Sequence, residues 1–345
     1  MITMADVAKE AGVSIMTVSR VITGTGYVKD LTRKKVLRAM KNLDYEPKRL
    51  SVSSMNAETT TLALIVPDIT NPFFTFIARG MEDVARKNGY RVFIANTDEN
   101  LRKESEYIDM CLSLNADGVL IVPVGDLSKE NLMVLQKGNI PFVLVDRQVK
   151  DVDADIVKGD IASASYMLLK HLIELGHKRI AIVTGPLHNE SSRERLDGYT
   201  RALQEFNLAY DEKLVKESIM TRNVDVRFID DFLALEHPPT ALFVANLFQY
   251  AHVYNALLER KLRIPDDISI VCFGNSDTLA ASDSIATCAI QPTYNFGSLG
   301  TQLLIERIEG NPDRSRKIIL EASIQIRGST APFSNKNEDQ YKDQN

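Results

Sequence analysis

The stretch MADVAKEAGVSIMTVSRVI, residues 4–22, contains two short helical patterns separated by Gly-Val-Ser. Gly12 suits the left-handed conformation that ends a helix, and Ser14 is a favourable N-cap for a second helix. The apolar positions that would bring the helices together are Ala5, Val7, Ala8, Ala11, Val18 and Val21. This pattern predicts two helices that cross steeply, as in the helix-turn-helix motif of DNA-binding proteins.

A third helix is predicted from Leu31 to Leu43. Its expected apolar stripe consists of Val36, Leu37, Met40 and Leu43. Asp30 or Thr32 is expected to cap its start. The three helices together predict an all-α head, and an ordinary packing domain without DNA binding remains the alternative.

The charge of the chain is divided unevenly between its two ends. Residues 1–58 contain ten Lys or Arg residues and six Asp or Glu residues, a balance of +4. The whole chain has a net charge of −5, so the remaining residues carry −9. A basic head on an acidic body indicates that the head contacts DNA phosphates and that the body does not.

Length and composition limit the other possibilities. The 345 residues suggest two or three folding units, and 44% hydrophobic residues provide for a buried core. No apolar run is long enough to span a membrane, and MITMADVAKE lacks the apolar region of a secretory signal, so we expect a cytoplasmic protein. Cys111, Cys272 and Cys288 lie in apolar runs, which predicts buried, reduced thiols.

The sequence offers no evident site for catalysis, a metal or a cofactor. Five histidines show no metal-ligand spacing, and no glycine-rich phosphate loop, nucleophile elbow or carboxylate pair is apparent. We therefore predict a protein that is not an enzyme.

After residue 60, apolar runs alternate with amphipathic stretches. The predicted strands cover residues 62–67, 91–96, 118–123, 141–146, 179–185, 240–246 and 268–274. The predicted helices cover residues 73–88, 101–114, 128–137, 161–175, 192–206, 224–234, 247–260 and 294–309. Apolar strands alternating with helices indicate doubly wound parallel sheets, and two such sets indicate an α/β core of two lobes.

The expected domains follow from these patterns. Residues 1–46 form the head, 47–60 a serine-rich hinge, 61–332 the two-lobed core, and 333–345 a disordered tail. Lobe 1 is expected to contain about 61–160 and 292–322, and lobe 2 about 161–291 and 323–332.

Specific pieces of the sequence resemble one known family. ADVAKEAGVSIMTVSRVI and TRKKVLRAMKNLDYEP are similar to the head of the lactose/galactose repressor family of bacterial transcription regulators. DITNPFF, FVLVDR, HLIELGHKRIAIVTGP, RERLDGY and IPDDISIV resemble its periplasmic-binding-protein-like core. The resemblance covers residues 3–332 and implies a homodimeric repressor that binds a near-palindromic operator in double-stranded DNA. It also implies control by an effector bound between the lobes.

The resemblance assigns roles in DNA binding. Ile15 and Met16 would contact thymine methyl groups, and Arg20 would pair with guanine. The residues expected at the DNA backbone are Thr3, Ser14, Thr17 and Ser19. In the hinge, the family pattern Ala-Arg-x-Leu is replaced by Ser51-Val52-Ser53-Ser54, with Met55 one position later. We therefore expect that this hinge does not form the family's minor-groove wedge, unless a shifted register places Met55 in that role.

The resemblance also assigns residues to the effector site, which in parallel sheets lies beyond the carboxyl ends of the strands. The implied residues are Phe73, Phe74, Asp146, Arg147, Arg195, Asn246, Phe248 and Gly274. Two aspartates of the family pattern are replaced by Leu247 and Gly274, which removes acceptors for sugar hydroxyls. The effector is thus expected to be a sugar, sugar phosphate or sugar acid, less hydroxylated or anionic and held by Arg147 and Arg195.

Two other functions stay open at this point. In the first, a protein partner replaces the small effector, as in global carbon-catabolite regulators, and the missing aspartates favour it. The second is a solute-binding protein for transport, which the TVSRV motif disfavours.

Overall fold

The computed structural model describes residues 4–23, 28–43, 45, 60–219, 224–274, 286–311 and 314–334. The chain divides before Thr60 into two compact units, which are considered separately. The predictions for Thr3, Ser51, Ser54 and Met55 lie outside the described residues.

The first unit contains the three predicted helices. These are α1 (Met4–Ala11), α2 (Ile15–Thr23) and α3 (Asp30–Asn42). Gly12 has a φ of 66°, as expected for a residue that ends a helix. The small core contains Val7, Ala8, Val18, Val21, Val36 and Ala39.

Two predictions for α3 are wrong. Leu37 is 52% exposed, and Ala39 takes its place in the core. Residues 36, 39, 40 and 43 follow the i, i+3, i+4, i+7 spacing of a helix face, whereas residue 37 lies about 100° away. The helix also begins one residue earlier than predicted, so its N-cap is Lys29, without a capping side chain, rather than Asp30 or Thr32.

The second unit contains two six-stranded sheets. Lobe 1 has strand order β11-β5-β4-β3-β1-β2, and all its neighbouring strands are parallel. These strands are β1 (Thr61–Val66), β2 (Arg91–Asn96), β3 (Gly118–Ile121), β4 (Phe142–Val145), β5 (Asp155–Gly159) and β11 (Lys317–Leu320). Its helices are α4 (Pro72–Lys87), α5 (Leu101–Ser113), α6 (Lys129–Lys137) and α11 (Thr293–Ile308).

Lobe 2 has strand order β12-β10-β9-β8-β6-β7. The strands are β6 (Ile180–Thr184), β7 (Val215–Glu217), β8 (Ala241–Val244), β9 (Ser269–Phe273), β10 (Thr287–Ile290) and β12 (Ser323–Gln325). Its helices are α7 (Ile161–Glu174), α8 (Glu190–Glu205), α9 (Phe228–Leu233) and α10 (Leu247–Glu259). Only the edge strand β12 is antiparallel to its neighbour among the described strands.

The structure confirms the predicted fold class and adds elements that the sequence did not predict. These additions are the strands β5, β7, β10, β11 and β12. Helix α9 begins at Phe228, four residues later than expected. The predicted tail begins too early, because the Phe333 amide donates to the Leu175 carbonyl at 2.8 Å and its ring packs against His177. All three cysteines are buried and free, as expected.

Helix α11 returns to lobe 1, as predicted, and crosses α4 at very short range. A Cβ atom on Gly297 would lie 2.0 Å from the carbonyl oxygen of Ile77. A Cβ atom on Gly80 would lie 2.1 Å from the carbonyl oxygen of Tyr294. The two backbones therefore touch, and glycine is needed on both helices.

This crossing predicts that Gly297→Ala destabilises the core unit. The added methyl group overlaps a backbone oxygen that cannot move alone, so we expect a loss of about 1–3 kcal/mol. Urea unfolding of the full chain should show a lower midpoint. Ser298→Ala, on the same helix, should leave the midpoint almost unchanged, and equal midpoints for the two variants would contradict the tight crossing.

Candidate functional site

The exposed face of α2 carries the residues assigned to base reading. Ile15 is 52% exposed, Met16 is 65% exposed, and Arg20 is also exposed. Thr17 and Ser19 are half-buried at the sides of the helix. Two apolar side chains and one cation are thus available on a surface of the head.

Ser14 has the capping role that the sequence predicts. Its Oγ accepts a hydrogen bond from the Thr17 amide at 3.2 Å and lies 2.9 Å from Thr17 Oγ1. This contact satisfies one of the amide groups that a helix start leaves without a partner. The N-terminal turn of α2 is therefore held in place with Ile15 and Met16 on its surface.

A cleft of about 670 Å³, partly open to solvent, lies between the two lobes at the carboxyl ends of their strands. The residues that line it are Asn71, Pro72, Phe73, Phe74, Phe76, Asp146, Arg147, Ser191, Arg195, Ala245, Asn246, Leu247, Phe273, Gly274, Gln291 and Thr293. They include every residue predicted for the effector site except Phe248.

Phe248 does not line the cleft, although the structure describes it. Asn246 caps α10 by accepting a hydrogen bond from the Gln249 amide at 2.9 Å, so Leu247 is the first helical residue and faces the cleft. The next residue lies about 100° around the helix axis. Tyr250, three residues after Leu247, is buried in the core of lobe 2.

One wall of the cleft is aromatic. Phe74 is 6% exposed, belongs to the core of lobe 1, and meets Phe73 edge to face with ring centroids 5.1 Å apart. Phe73 also contacts Phe296 at 6.0 Å. Phe76, which the sequence analysis missed, lines the same wall and is 38% exposed. Phe76 therefore offers more accessible surface to a ligand than Phe74.

Arg147 reaches the cleft, but its charge is already compensated. Its two terminal nitrogens donate to the Glu99 carboxylate at 2.7 and 2.8 Å, and one of them also donates to the carbonyls of Pro123 and Val124. Burial acts to lower the pKa of Arg147, but the Glu99 carboxylate outweighs it and raises that pKa above its ordinary value. The expectation that Arg147 holds an anionic effector is therefore not favoured.

Asp146 precedes Arg147 and is the main carboxylate in the cleft wall. Burial raises the pKa of Asp146, while the nearby charges of Arg147 and Arg195 oppose this shift. Its carboxylate lies 3.7 Å from Arg147 Nε. Asp146 is the principal acceptor that the described part of lobe 1 presents to this region.

Arg195 is a buried cation with little compensation. One terminal nitrogen donates to the Ser191 carbonyl at 3.0 Å, and the guanidinium carbon lies 4.8 Å from the centroid of the Phe273 ring. Its Nε has no hydrogen-bond partner among the described residues. Burial lowers the pKa of Arg195 to about 10, and the charge of Asp146 only partly opposes this. Arg195 remains charged at neutral pH, and the surrounding residues compensate this charge only in part.

Two further side chains present unused polar atoms at the cleft. Ser191 Oγ and Gln291 Nε2 are buried and have no partner among the described residues. The sequence analysis missed both residues. Ser191 lies one helical turn before Arg195 on α8, so the sequence spacing already placed both residues on the same face of that helix. Gln291 follows β10, a strand that was not predicted.

The two positions that depart from the family pattern are in contact. A Cβ atom on Gly274 would lie 2.6 Å from Leu247 Cγ, and Gly274 has a φ of 135°. Leu247 thus occupies the space that a larger residue at position 274 would need. Leu247 and Gly274 therefore pack against each other, and they place apolar surface where the family pattern has two carboxylates.

The described segments provide neither a metal site nor a membrane-spanning helix. No group of three or more His, Cys, Asp or Glu residues in these segments is placed to hold a metal ion. None of the described helices is both long and apolar enough to cross a membrane.

Comparisons with known proteins agree with this architecture. Residues 3–48 match the family described as bacterial regulatory proteins, lacI family, and residues 169–330 match a periplasmic binding protein-like domain. The chain is 32% identical over 330 residues to catabolite control protein A of Priestia megaterium, covering 95% of this chain and 99% of that protein. It is also 32% identical over 330 residues to the HTH-type transcriptional repressor PurR of Aliivibrio salmonicida, covering 95% of this chain and 99% of that protein.

A solved structure extends the likeness to the whole fold. The transcriptional regulator CelR–cellobiose complex has a TM-score of 0.71 and 28% identity, and the match covers 95% of this chain and 100% of that chain. The helix-turn-helix head, the two parallel-sheet lobes and these relatives lead to one conclusion. The chain belongs to the lacI family of bacterial regulatory proteins and is a DNA-binding transcription regulator with an effector-binding core.

Proposed function

We propose that this regulator is a homodimeric repressor controlled by an anionic sugar derivative, a sugar acid or a sugar phosphate, bound between its lobes. The observation that carries the proposal is the buried, poorly compensated guanidinium of Arg195. An effector acts by binding one lobe arrangement more tightly than another, and so changes the population that binds DNA.

The polar atoms of the cleft favour an anion. Arg195 Nε and Gln291 Nε2 are donors without a partner among the described residues, and Ser191 Oγ can also donate. Buried polar groups are normally hydrogen-bonded, so these atoms need acceptors from a ligand or water. A carboxylate or phosphate supplies several acceptor oxygens and a charge that matches Arg195.

A neutral sugar fits less well because it needs acceptors for its hydroxyl protons. The two positions where the family pattern has aspartates hold Leu247 and Gly274. The side-chain oxygen of Asn246 already accepts from the Gln249 amide. Leaving sugar hydroxyls unpaired in a buried site costs binding energy, which favours ligands with fewer hydroxyl groups.

In the head, we propose that Ile15 and Met16 contact thymine methyl groups and that Arg20 donates to guanine O6 and N7. Thr3, Ser14, Thr17 and Ser19 would contact phosphates and set the register. Each head carries one such helix, so a near-palindromic operator requires two chains. The absence of a minor-groove wedge at Ser51, Ser54 and Met55 stays a prediction.

A second candidate replaces the small molecule with a protein partner. The 32% identity to catabolite control protein A supports it, but the identity to PurR is equal over the same length. The unpartnered donors inside the cleft favour the small molecule, because a protein that docks on the core surface would leave them unused.

The first test compares acids with their neutral parents. We expect the full-length protein to bind galacturonate, gluconate or glucose 6-phosphate at least tenfold more tightly than the neutral parent sugar in calorimetric titrations. Arg195→Met should remove this preference, because a hydrogen bond to a charged group contributes roughly 1.5–3 kcal/mol.

Arg201→Met is the matched control for this test. Arg201 lies on the same helix, but its guanidinium stacks on Tyr166 outside the cleft at 4.4 Å. This variant should keep the preference for acids. Neutral sugars that bind as tightly as their acids would contradict the proposal, and no binding by either class would favour the protein partner.

The second test concerns Arg20. We expect Arg20→Ala to discriminate less well between bases at one base pair in each half-site of an operator selected from random DNA. The loss should be roughly 1–3 kcal/mol, because a bidentate contact to the base is removed. Affinity measurements on single-base variants of the operator check this. Arg38 is an exposed cation on α3, and Arg38→Ala should preserve the discrimination. If Arg20→Ala instead weakens binding equally on all operator variants, Arg20 contacts only phosphate.

A further inference from the structure

Charged side chains connect the two lobes behind the effector cleft. Lys158 lies on β5 of lobe 1, and its ammonium is 2.8 Å from Glu190 Oε1 and 2.7 Å from Glu194 Oε1. Both glutamates belong to α8 of lobe 2. Because they are four residues apart, their carboxylates lie on the same face of the helix and meet one ammonium. We call Lys158, Glu190 and Glu194 the interlobe triad.

The ammonium of the interlobe triad is almost completely buried. Lys158 is 1% exposed, whereas the glutamate side chains are 18% and 25% exposed. A buried ammonium without a counter-ion carries a large desolvation cost, which two carboxylates can offset here. Separation of the lobes would break both ion pairs and expose all three groups to water.

Two more polar contacts cross between the lobes at the same end of α8. The Gln148 amide, in the loop after β4, donates to Glu190 Oε2 at 2.6 Å. Arg193 lies 3.0 Å from the Asp126 carboxylate of lobe 1. The first turns of α8 therefore present consecutive charged contacts to lobe 1.

We propose that the interlobe triad is a latch that stabilises the lobe arrangement of the structure independently of any effector. The latch acts on the equilibrium that an effector must shift, so its strength sets how much differential binding energy the effector has to supply. None of its three residues lines the cleft, although the charges of Lys158 and Glu190 act on Asp146 and the charge of Glu194 acts on Arg195. The latch does not depend on the chemical class of the effector.

The Gln148 amide provides a direct readout of the latch. Its hydrogen-bond acceptor is a lobe 2 side chain, so the amide becomes free to exchange its hydrogen with solvent when the lobes separate. Amides in β1 and β6 bond within their own sheets and report the intact fold of each lobe. Hydrogen exchange of the full chain without added ligand therefore distinguishes lobe separation from unfolding.

The test is Lys158→Met, which keeps the length of the side chain and removes its charge. We expect exchange at Gln148 to become about tenfold faster, because bonds to a charged group are lost, while β1 and β6 stay protected. Lys129→Met is the matched control, since Lys129 pairs with Asp151 within lobe 1 on the surface. Unchanged exchange at Gln148 in Lys158→Met, or faster exchange throughout β1 and β6, would overturn the proposal.

A double-mutant cycle tests whether the charges act together. Glu194→Gln should also accelerate hydrogen exchange at the Gln148 amide. In the double variant Lys158→Met/Glu194→Gln, this exchange should be no faster than in Lys158→Met alone. Lys158→Arg keeps the charge, so exchange at the Gln148 amide should be slower in this variant than in Lys158→Met. Accelerations by the two single variants that multiply in the double variant would show independent effects and would overturn the latch.

Discussion

Burial of both faces of each parallel sheet determines where this protein can place polar chemistry. Helices cover the sheets, so the central strands β1 and β9 are buried along almost their whole length. The polar side chains of the cleft, such as Asp146 after β4 and Asn246 after β8, lie in segments beyond the strand ends. The carboxyl ends of the two sheets border one cleft, and side chains from both lobes therefore meet there.

Among the described residues, the buried cations Arg147, Lys158 and Arg195 differ in how their charges are compensated. Arg147 is held by Glu99 and two carbonyls, and Lys158 by two glutamates. Arg195 has a carbonyl, an aromatic face and a more distant carboxylate. The first arrangement is structural and the second connects the lobes, and we propose that the third leaves a charge available to a ligand. This division of roles underlies both the proposed effector class and the proposed latch.

The central strands and nearly all helices could be predicted because their apolar periodicity is a local property of the sequence. Strand β5 was missed because it begins at the buried Asp155, whose carboxylate binds Arg307 some 150 residues later in the chain, and contains Lys158. Short edge strands such as β7 offer too few residues for a pattern. The residues expected at the effector site were identified by motif, but the chemistry of these side chains depends on distant partners. Glu99 compensates Arg147 from 48 residues away, and Leu247 fills the space beside Gly274.

The central claim is that occupancy of the cleft controls DNA binding by the head. The most direct measurement is the affinity of the full-length protein for a selected operator, with and without a saturating concentration of the tightest-binding sugar acid or sugar phosphate. The account predicts a change of at least about fivefold, and an equal change in ligand affinity when operator is present, because the coupling of two binding sites is reciprocal. An operator affinity that does not change while the cleft is occupied would contradict it.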